Sequence, residues 1–314
     1  MDVEQQQLQK SILATVAYYD GLKYPLSAFE IWKYIIRADY SSNEGQIAQP
    51  SLSEVIFCLQ QESISRNIEN QDGFYFLRGR KDLVAKRIES GKISAVKIKQ
   101  LRRIVKWIIY VPFVRMVGVT GRLAMKNAQQ GSDWDLLVVI KDGHIWTGRT
   151  LVTAAAHILG KRRHGKKVAD RVCLNFFVTD ESLEVITKDL FSASEYMFLL
   201  PLWGWETYQR FQVNNAWIKD MRPSYMPSEL APIKEIVDSG FAKKCRAVGE
   251  EILASRSLEK WLKKIEKKRI MKNPKTHQEG SLVYADDDAL IFLPNPHGPR
   301  VFEEFKEKME KISI

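Results

Sequence analysis

Cysteine is scarce in this chain of 314 residues: Cys58, Cys173 and Cys245 are the only ones, and they stand far apart. This spacing argues against a disulfide framework and against a paired-cysteine zinc site. The N-terminus lacks a basic start followed by an apolar stretch, and no segment reaches the roughly 18–20 apolar residues that span a bilayer. We therefore expect a cytoplasmic protein with no membrane partner.

No tract is biased enough in composition to indicate disorder, and no internal repeat is visible. The composition, 45% hydrophobic and 27% charged, is typical of a folded globular protein, and the length predicts two or three domains. The formal net charge of +10 favours a polyanionic partner, because clustered cations release counterions from phosphates. The alternative is that the excess charge only maintains solubility.

Residues 1–90 have the order of three short amphipathic helices followed by a hairpin. The first helix, in LQKSILATVAYYDGL, has one apolar face. Further helices are predicted after Pro25 and after Pro50, and the Asp72-Gly73 pair between two alternating segments is typical of a tight hairpin turn. This order predicts an N-terminal winged helix. The apolar face of the first helix is formed by Ile12, Leu13, Val16 and Tyr19.

Basic residues surround the predicted wing and are suited to phosphate contacts. Winged helices bind DNA, but they also dock proteins, so both alternatives stay open. The basic residues are Arg66, Arg78, Arg80 and Lys81.

A long helix is predicted from Lys92 to Tyr110 and would join the N-terminal region to the next domain. Its cations form a solvated face or follow a nucleic-acid backbone. The residues predicted to point inward are Ile98, Leu101, Val105 and Ile108. The cations predicted to lie elsewhere around the helix are Lys97, Lys99, Arg102, Arg103 and Lys106.

Residues 91–200 are predicted to be the core domain together with the linking helix. Within them, residues 113–200 alternate strands and helices, which predicts a mixed sheet, and the fold class is therefore mixed α/β (α+β). The strands are predicted at FVRMVGV, DWDLLVVI and RVCLNFFV, with a helix over Trp146–Leu159. Residues 201–314 are predicted to form a mainly helical domain that closes with two short strands and a helix near Val301–Ile312. An aromatic cluster in this domain is interpreted as a core seam rather than a base-stacking surface: Trp203, Trp205, Tyr208 and Phe211.

The stretch most informative about chemistry is VGVTGRLAMKNAQQGSDWDLLVVI, residues 117–140. Asp133 and Asp135 stand two apart at a predicted strand, so their side chains project to one face and can converge on one Mg²⁺ or Mn²⁺. Gly121 lies in the turn after the preceding strand, where the lack of a Cβ lets the backbone approach a phosphate. Trp134, Leu136 and Val138 are predicted to pack the core on the opposite face.

The glycine turn and the Asp-x-Asp pair 12 residues later resemble the signature of the DNA polymerase beta-like nucleotidyltransferases. The segments GRLAMKNAQQGSDWDLL, CLNFF and YQRFQVNNAW resemble bacterial and archaeal members that fuse a winged helix to such a core. The resemblance implies transfer of a nucleoside monophosphate from a nucleoside triphosphate, with Asp133 and Asp135 as catalytic metal ligands. It implies nucleotide-binding roles for Thr120, Gly121, Arg122 and Ser132.

Two residues depart from the family pattern. Arg122 stands where the family commonly has serine, and it would either grip a triphosphate or fill the pocket. Asn175 is the candidate for the third carboxylate position, because the alternation in RVCLNFFV puts Cys173, Asn175 and Phe177 on one face. An amide oxygen ligates Mg²⁺ weakly and cannot act as a base. The opposite face would hold Val172, Leu174, Phe176 and Val178, and the possible substitutes for the carboxylate are Asp170 and Asp180.

The basic loop 160–171, GKRRHGKKVADR, is predicted to lie beside the active site. It would hold a triphosphate or a nucleic-acid backbone, or it is only a solvated connection. Two functions follow: an enzyme with a macromolecular acceptor (RNA, DNA or protein), or a catalytically degenerate relative that acts as a nucleic-acid-binding or regulatory module. The sequence does not indicate the base preference or the oligomeric state.

Overall fold

The computed structural model describes residues 3–37, 49–227 and 235–312. Within these ranges the chain forms thirteen α-helices and nine strands, and the strands belong to one three-stranded and one six-stranded sheet. The predicted mixed α/β (α+β) class is therefore confirmed. None of the helices in these ranges is both long enough and apolar enough to cross a membrane.

The N-terminal region is a three-stranded antiparallel sheet with helices packed on it, in the strand order β1-β3-β2. Ser27 and Ser51 each begin a helix with a capping box, in which the serine hydroxyl and a glutamate three residues later satisfy free backbone N–H groups. The elements are α1 (Val3–Gly21), β1 (Leu26–Ser27), α2 (Ala28–Lys33), α3 (Leu52–Leu59), α4 (Glu62–Ser65), β2 (Ile68–Gln71) and β3 (Phe74–Leu77).

The predicted helices and hairpin of this region are confirmed. Asp72 and Gly73 have φ angles of 54° and 77°, so the hairpin turn uses left-handed backbone at the two predicted positions. The predicted apolar face of α1 is buried in the N-terminal core, which also receives Val301 and Phe305 from the C-terminal end of the chain.

The central sheet has the strand order β7-β4-β5-β6-β9-β8, in which β5 and β6 are parallel and the other neighbours are antiparallel. Helices cover both of its faces. The elements up to residue 200 are α5 (Asp82–Ile108), β4 (Val114–Val119), α6 (Gly121–Ala124), β5 (Trp134–Ile140), α7 (Ile145–Ile158), β6 (Val172–Thr179) and α8 (Leu190–Met197).

The rest of the chain is helical for the most part but also completes the sheet, since β8 and β9 extend it beyond β6. The domain boundaries after residues 90 and 200 stay predictions; α5 runs through the first of them. The elements are β7 (Leu200–Trp203), α9 (Trp205–Asn214), α10 (Ile218–Met221), α11 (Gly240–Leu253), α12 (Arg256–Met271), a 3₁₀ turn (Pro274–His277), β8 (Leu282–Ala285), β9 (Ala289–Leu293) and α13 (Gly298–Lys311).

The aromatic residues belong to the core, as predicted, but not to one seam: Trp203 on β7 packs on one face of the sheet, and Tyr208 and Phe211 on α9 pack on the other. Trp203, Tyr208 and Phe211 are buried, and Trp205 packs beside Tyr208 with its ring centroid 5.3 Å away. The closing strand pair and helix are also confirmed.

Helix α5 begins at Asp82, earlier than the predicted Lys92. Leu101, Val105 and Ile108 point inward as predicted. The prediction for Lys97 is wrong, because its side chain is only 5% exposed. Its Nζ donates hydrogen bonds to backbone oxygens and one carboxylate that lie just before β5 and β6, which satisfies the buried charge. These partners are Gln130 O at 2.9 Å, Ser132 O at 3.0 Å and Asp170 Oδ1 at 2.6 Å.

Strand β6 contains a bulge that the simple alternation did not predict. Asp135 pairs with Cys173, but Leu137 pairs with Phe176, so β6 carries one extra residue at this point. Phe177 therefore packs with Val172 and Leu174, whereas Phe176 packs on the other face of the sheet together with Val178. The prediction of one face shared by residues 172, 174, 176 and 178 is wrong for the second half of the strand.

Candidate functional site

The predicted carboxylate pair comes together at the start of the two parallel strands. Asp133 immediately precedes β5 and Asp135 lies on it, and Cys173 is the neighbour of Asp135 on β6. One ligand atom from each of these three residues lies within 4.8 Å of those of the other two. The pair therefore converges, and the side chain of Asp133 is 18% exposed, so solvent reaches the site.

The core side of β5 is as predicted. Trp134, Leu136 and Val138 are fully buried against the helices on the opposite face of the sheet from Asp135. Their packing fixes the strand, and it leaves Asp135 facing the side that carries Leu137 and Val139.

Gly121 lies directly against Asp135. Its φ is 63°, a left-handed conformation that favours glycine, and a Cβ built there would lie 3.0 Å from Asp135 Oδ2. The backbone N–H of Thr120 also donates to Asp135 O at 3.1 Å. The predicted glycine turn therefore forms one wall of the site, with Thr120 buried beneath it.

Asp135 has a perturbed acidity. Burial and the nearby charge of Asp133 raise its pKa to about 6, against the opposing effect of hydrogen bonds from Cys173 and Asn175. Asn175 Nδ2 lies 3.4 Å from Asp135 Oδ1, and Asn175 Oδ1 is buried without a hydrogen-bond partner among the described residues. Asn175 thus lies beside the pair, as predicted for the third position.

The basic loop reaches the site through Arg163. Its Nη1 donates to Asp133 Oδ2 at 2.5 Å and lies 3.4 Å from Cys173 Sγ. The loop therefore lies beside the pair, as predicted. In this arrangement the Arg163 guanidinium compensates the negative charge of Asp133.

A carboxylate that the sequence did not reveal, Glu195 on α8, also faces this region. The Thr120 side chain and the Gly121 N–H lie close enough to favour its charged form and oppose the rise of its pKa. Burial, together with the charges of Asp135 and Asp189, raises its pKa to about 7. The sequence gives one local indication of this contact: Glu195 is an acidic residue on a helix whose other inward residues are small or apolar. Its distance from Asp135 along the chain hides the contact itself.

The two substitutes considered for the third carboxylate are wrong. Asp170 turns its carboxylate to Lys97 Nζ. Asp180 lies at the opposite end of the sheet, where its N–H donates to Ile140 O at 2.9 Å and its Oδ1 accepts from Asp142 N at 2.7 Å. Closeness to β6 along the chain does not bring either group to Asp135.

The remaining predicted nucleotide-binding residues are near the pair but not directed at it. Ser132 Oγ accepts from Gln129 N at 3.0 Å, so this hydroxyl stabilises the turn before β5. Arg122 is exposed, and its charge contributes to lowering the pKa of His297 near the start of α13. Among the described residues Arg122 forms no ion pair with Asp133 or Asp135.

The donor set fits a hard divalent cation. Two carboxylates supply the oxygen ligands that Mg²⁺ and Mn²⁺ prefer, and the unpartnered Asn175 Oδ1 is a further oxygen beside them. Cys173 Sγ, the third donor atom of this group, is a soft ligand, which Mg²⁺ and Mn²⁺ do not prefer. Asp133, Asp135 and Asn175 are therefore the residues that would hold such an ion.

A scan against protein-family models and searches of curated proteins and of solved structures found no significant match. The chemistry of the site therefore has to be inferred from its own geometry.

Proposed function

We propose that the chain is a metal-dependent nucleotidyltransferase that moves a nucleoside monophosphate from a nucleoside triphosphate to a hydroxyl of a macromolecular acceptor, RNA, DNA or protein. The observation that carries this proposal is the convergence of Asp133 and Asp135 beside the left-handed Gly121 turn. It agrees with the resemblance to the polymerase beta-like nucleotidyltransferases.

Each residue of the site has its own role in the proposed transfer. A bound Mg²⁺ or Mn²⁺ would neutralise charge on the phosphates and orient them. Asp133 and Asp135 would hold the ion, with Asn175 Oδ1 beside it, and Gly121 lets the backbone approach the phosphates without a side chain between them. The acceptor oxygen forms a bond to the α-phosphorus, the bond to the β-phosphate oxygen breaks, and pyrophosphate leaves. The acceptor proton passes to water, because the Asn175 amide cannot accept it.

The order of elements in the N-terminal region supports a macromolecular acceptor. A helix, a strand, further helices (α2, α3 and the one-turn α4) and a hairpin follow one another as in a winged helix, with β2 and β3 as the wing. We infer that residues 1–90 are such a module. Three of its four predicted phosphate-binding cations already have acidic partners, which favours protein docking as its role: Arg66 with Glu62, Arg78 with Glu69 and Arg80 with Asp20.

A second function, a catalytically degenerate member that acts as a nucleic-acid-binding or regulatory module, is favoured by two contacts. Arg163 pairs with Asp133, and the carboxylate of Glu195 lies beside Thr120 and the Gly121 N–H, where a phosphate would bind. Both contacts have to open for the enzyme to bind metal and triphosphate.

Label transfer separates the two functions. The full chain is incubated with α-labelled nucleoside triphosphates, Mg²⁺ or Mn²⁺, and a pool of RNA, DNA and protein acceptors. Transfer that is lost in Asp133→Asn and in Asp135→Asn, but kept in the exposed control Asp142→Asn, supports the enzyme. Absence of transfer with either metal, or transfer that persists in both site variants, overturns the proposal.

A further inference from the structure

The charged side chains on the outer surface of helix α12 are all cations. Its two acidic residues both turn inward to α7: Glu259 accepts from the backbone N–H groups of Trp146 and Thr147 at 2.8 and 2.9 Å, and Glu266 pairs with Arg149. The outer cations are exposed and, among the described residues, none of them forms an ion pair. They are Lys260, Lys264, Lys267, Lys268, Arg269 and Lys272.

Apolar groups lie between these cations. The side chain of Trp261 is exposed, with 59% of the residue accessible, and Ile265 follows one turn later. Ile265 also lines an open groove of ≈ 490 Å³ with Lys268, Arg269 and Lys272. From Lys260 to Lys272 the surface extends about 18 Å at the helical rise per residue.

This surface leads to the candidate active site. Helices α7 and α12 run in the same general direction, because Glu259 contacts the start of α7 and Glu266 contacts Arg149 further along it. The end of α7 continues into the loop that carries Arg162 and Arg163. Arg162 Nη1 donates to Val172 O at 3.4 Å, next to Cys173 of the site, and the charge of Arg269 on α12 contributes to lowering the pKa of Arg162.

We propose that the exposed cations of α12, together with Arg162 and Arg163, form a binding track for a single strand of nucleic acid that leads to Asp133 and Asp135. Lysine and arginine neutralise the backbone phosphates, and Trp261 stacks on an unpaired base. The exposed apolar groups favour a single strand, because the bases of a duplex are already stacked on each other. Naming this strand as the acceptor rests on the proposed nucleotidyl transfer; the binding itself does not.

Binding is measured on the full chain by fluorescence anisotropy, with labelled single-stranded RNA and DNA of mixed sequence and the corresponding duplexes. Replacing Lys264, Lys268 and Lys272 by alanine removes up to three phosphate contacts. At a slope of about 0.7 per contact, affinity for the single strand should fall roughly 10- to 100-fold near 0.1 M salt, with a shallower salt dependence. The control removes the same charge from α5 by replacing Lys99, Arg103 and Lys106 with alanine and should change affinity less than about threefold.

The stacking of Trp261 on a base is tested by a separate pair of variants, one at the proposed track and one control. Trp261→Ala should weaken single-strand binding roughly tenfold. Trp107→Ala, which removes an indole of similar exposure from α5, should leave it unchanged. Equal losses in the two triple variants, binding only to duplex, or binding to anionic phospholipid vesicles but to no oligonucleotide would each overturn the track.

The two proposals fail in different ways. Asp133→Asn should abolish label transfer without weakening strand binding, because it removes the carboxylate charge that pairs with Arg163 of the track. If the wild-type chain binds the single strand but transfers no label, the proposed function is overturned and the binding track is supported. If it transfers label to a protein hydroxyl but binds no strand, the track is overturned and the proposed function is supported.

Discussion

At the scale of single residues, the approach of Gly121 to Asp135 determines the shape of the site. The glycine combines a left-handed φ with a space that a Cβ would narrow to 3.0 Å from Asp135 Oδ2. Two other glycines allow the effect of the left-handed φ to be measured apart from the effect of the close approach to a carboxylate. Gly143 has a φ of 72° with nothing within 4 Å, and Gly131 has neither the positive φ nor a close neighbour.

Gly121→Ala is expected to destabilise the chain by about 1–2 kcal/mol from backbone strain and to weaken Mn²⁺ binding, because its Cβ displaces Asp135. Gly143→Ala should show a similar loss of stability with unchanged Mn²⁺ affinity, and Gly131→Ala should show neither effect. Urea unfolding and titration with Mn²⁺ measure the two quantities. An unchanged Mn²⁺ affinity in Gly121→Ala would contradict the close approach.

The acidity of Asp135 makes stability depend on pH. Its pKa is raised to about 6, above the ordinary value of 3.8, so between these values the folded chain binds more protons than the unfolded chain. Stability must therefore fall as pH rises through this window, and the loss is complete above about pH 6.

Without metal, Asp135→Asn is expected to be more stable than wild type by on the order of 2 kcal/mol near pH 8, and nearly equal near pH 4. Urea unfolding in the presence of a chelator measures this difference. The exposed Asp142→Asn should show no such trend. If Asp135→Asn is less stable than wild type at every pH, the interactions of the charged carboxylate with its partners outweigh the cost of its burial, which contradicts the prediction.

At the scale of elements, α5 supports the turn that precedes the carboxylates. Lys97 donates to two carbonyl groups before β5, Gln130 O and Ser132 O, and to Asp170 before β6. The helix thereby links the starts of both strands that bear the site, and Asp133 follows Ser132 directly.

Lys97→Met is expected to cost about 1–3 kcal/mol, because two carbonyl groups lose their buried hydrogen-bond donor. The exposed Lys99→Met on the same helix should stay within about 0.5 kcal/mol of wild type. Urea unfolding at equal pH compares them. Equal stability of the two variants would mean that water replaces the ammonium group and that α5 does not support the turn.

Local patterns allowed much of the fold to be predicted. The face of α1, the helix after Pro50, the Asp72-Gly73 turn and the Asp133–Asp135 convergence all depend on residues close together in the chain. The bulge in β6, the burial of Lys97 and the approach of Glu195 depend on contacts between distant segments. Periodicity carries no information about such contacts, so the face assignments in β6 and the substitutes for the third carboxylate were wrong.

At the scale of the whole molecule, the last helix packs against the first. The C-terminal helix α13 packs into the N-terminal core, and its Lys308 lies 2.8 Å from the buried Asp20 of α1. Strands β8 and β9 complete the sheet next to β6. The net charge of +10 is distributed unevenly, since α12 places its cations outward and its two carboxylates inward. Helix α12, which bears most of the proposed strand track, packs on α7, and α7 packs on β5 and β6, the strands that bear the carboxylate site.

The most direct test is a crystal structure of the full chain with Mn²⁺ and a nonhydrolysable nucleoside triphosphate, in which anomalous scattering locates the metal. We predict one Mn²⁺ bound by an oxygen of Asp133 and an oxygen of Asp135, at about 2.1 Å from each, with Arg163 moved off Asp133. A structure in which Arg163 still pairs with Asp133, and no metal bridges the two carboxylates at saturating Mn²⁺, would contradict the account.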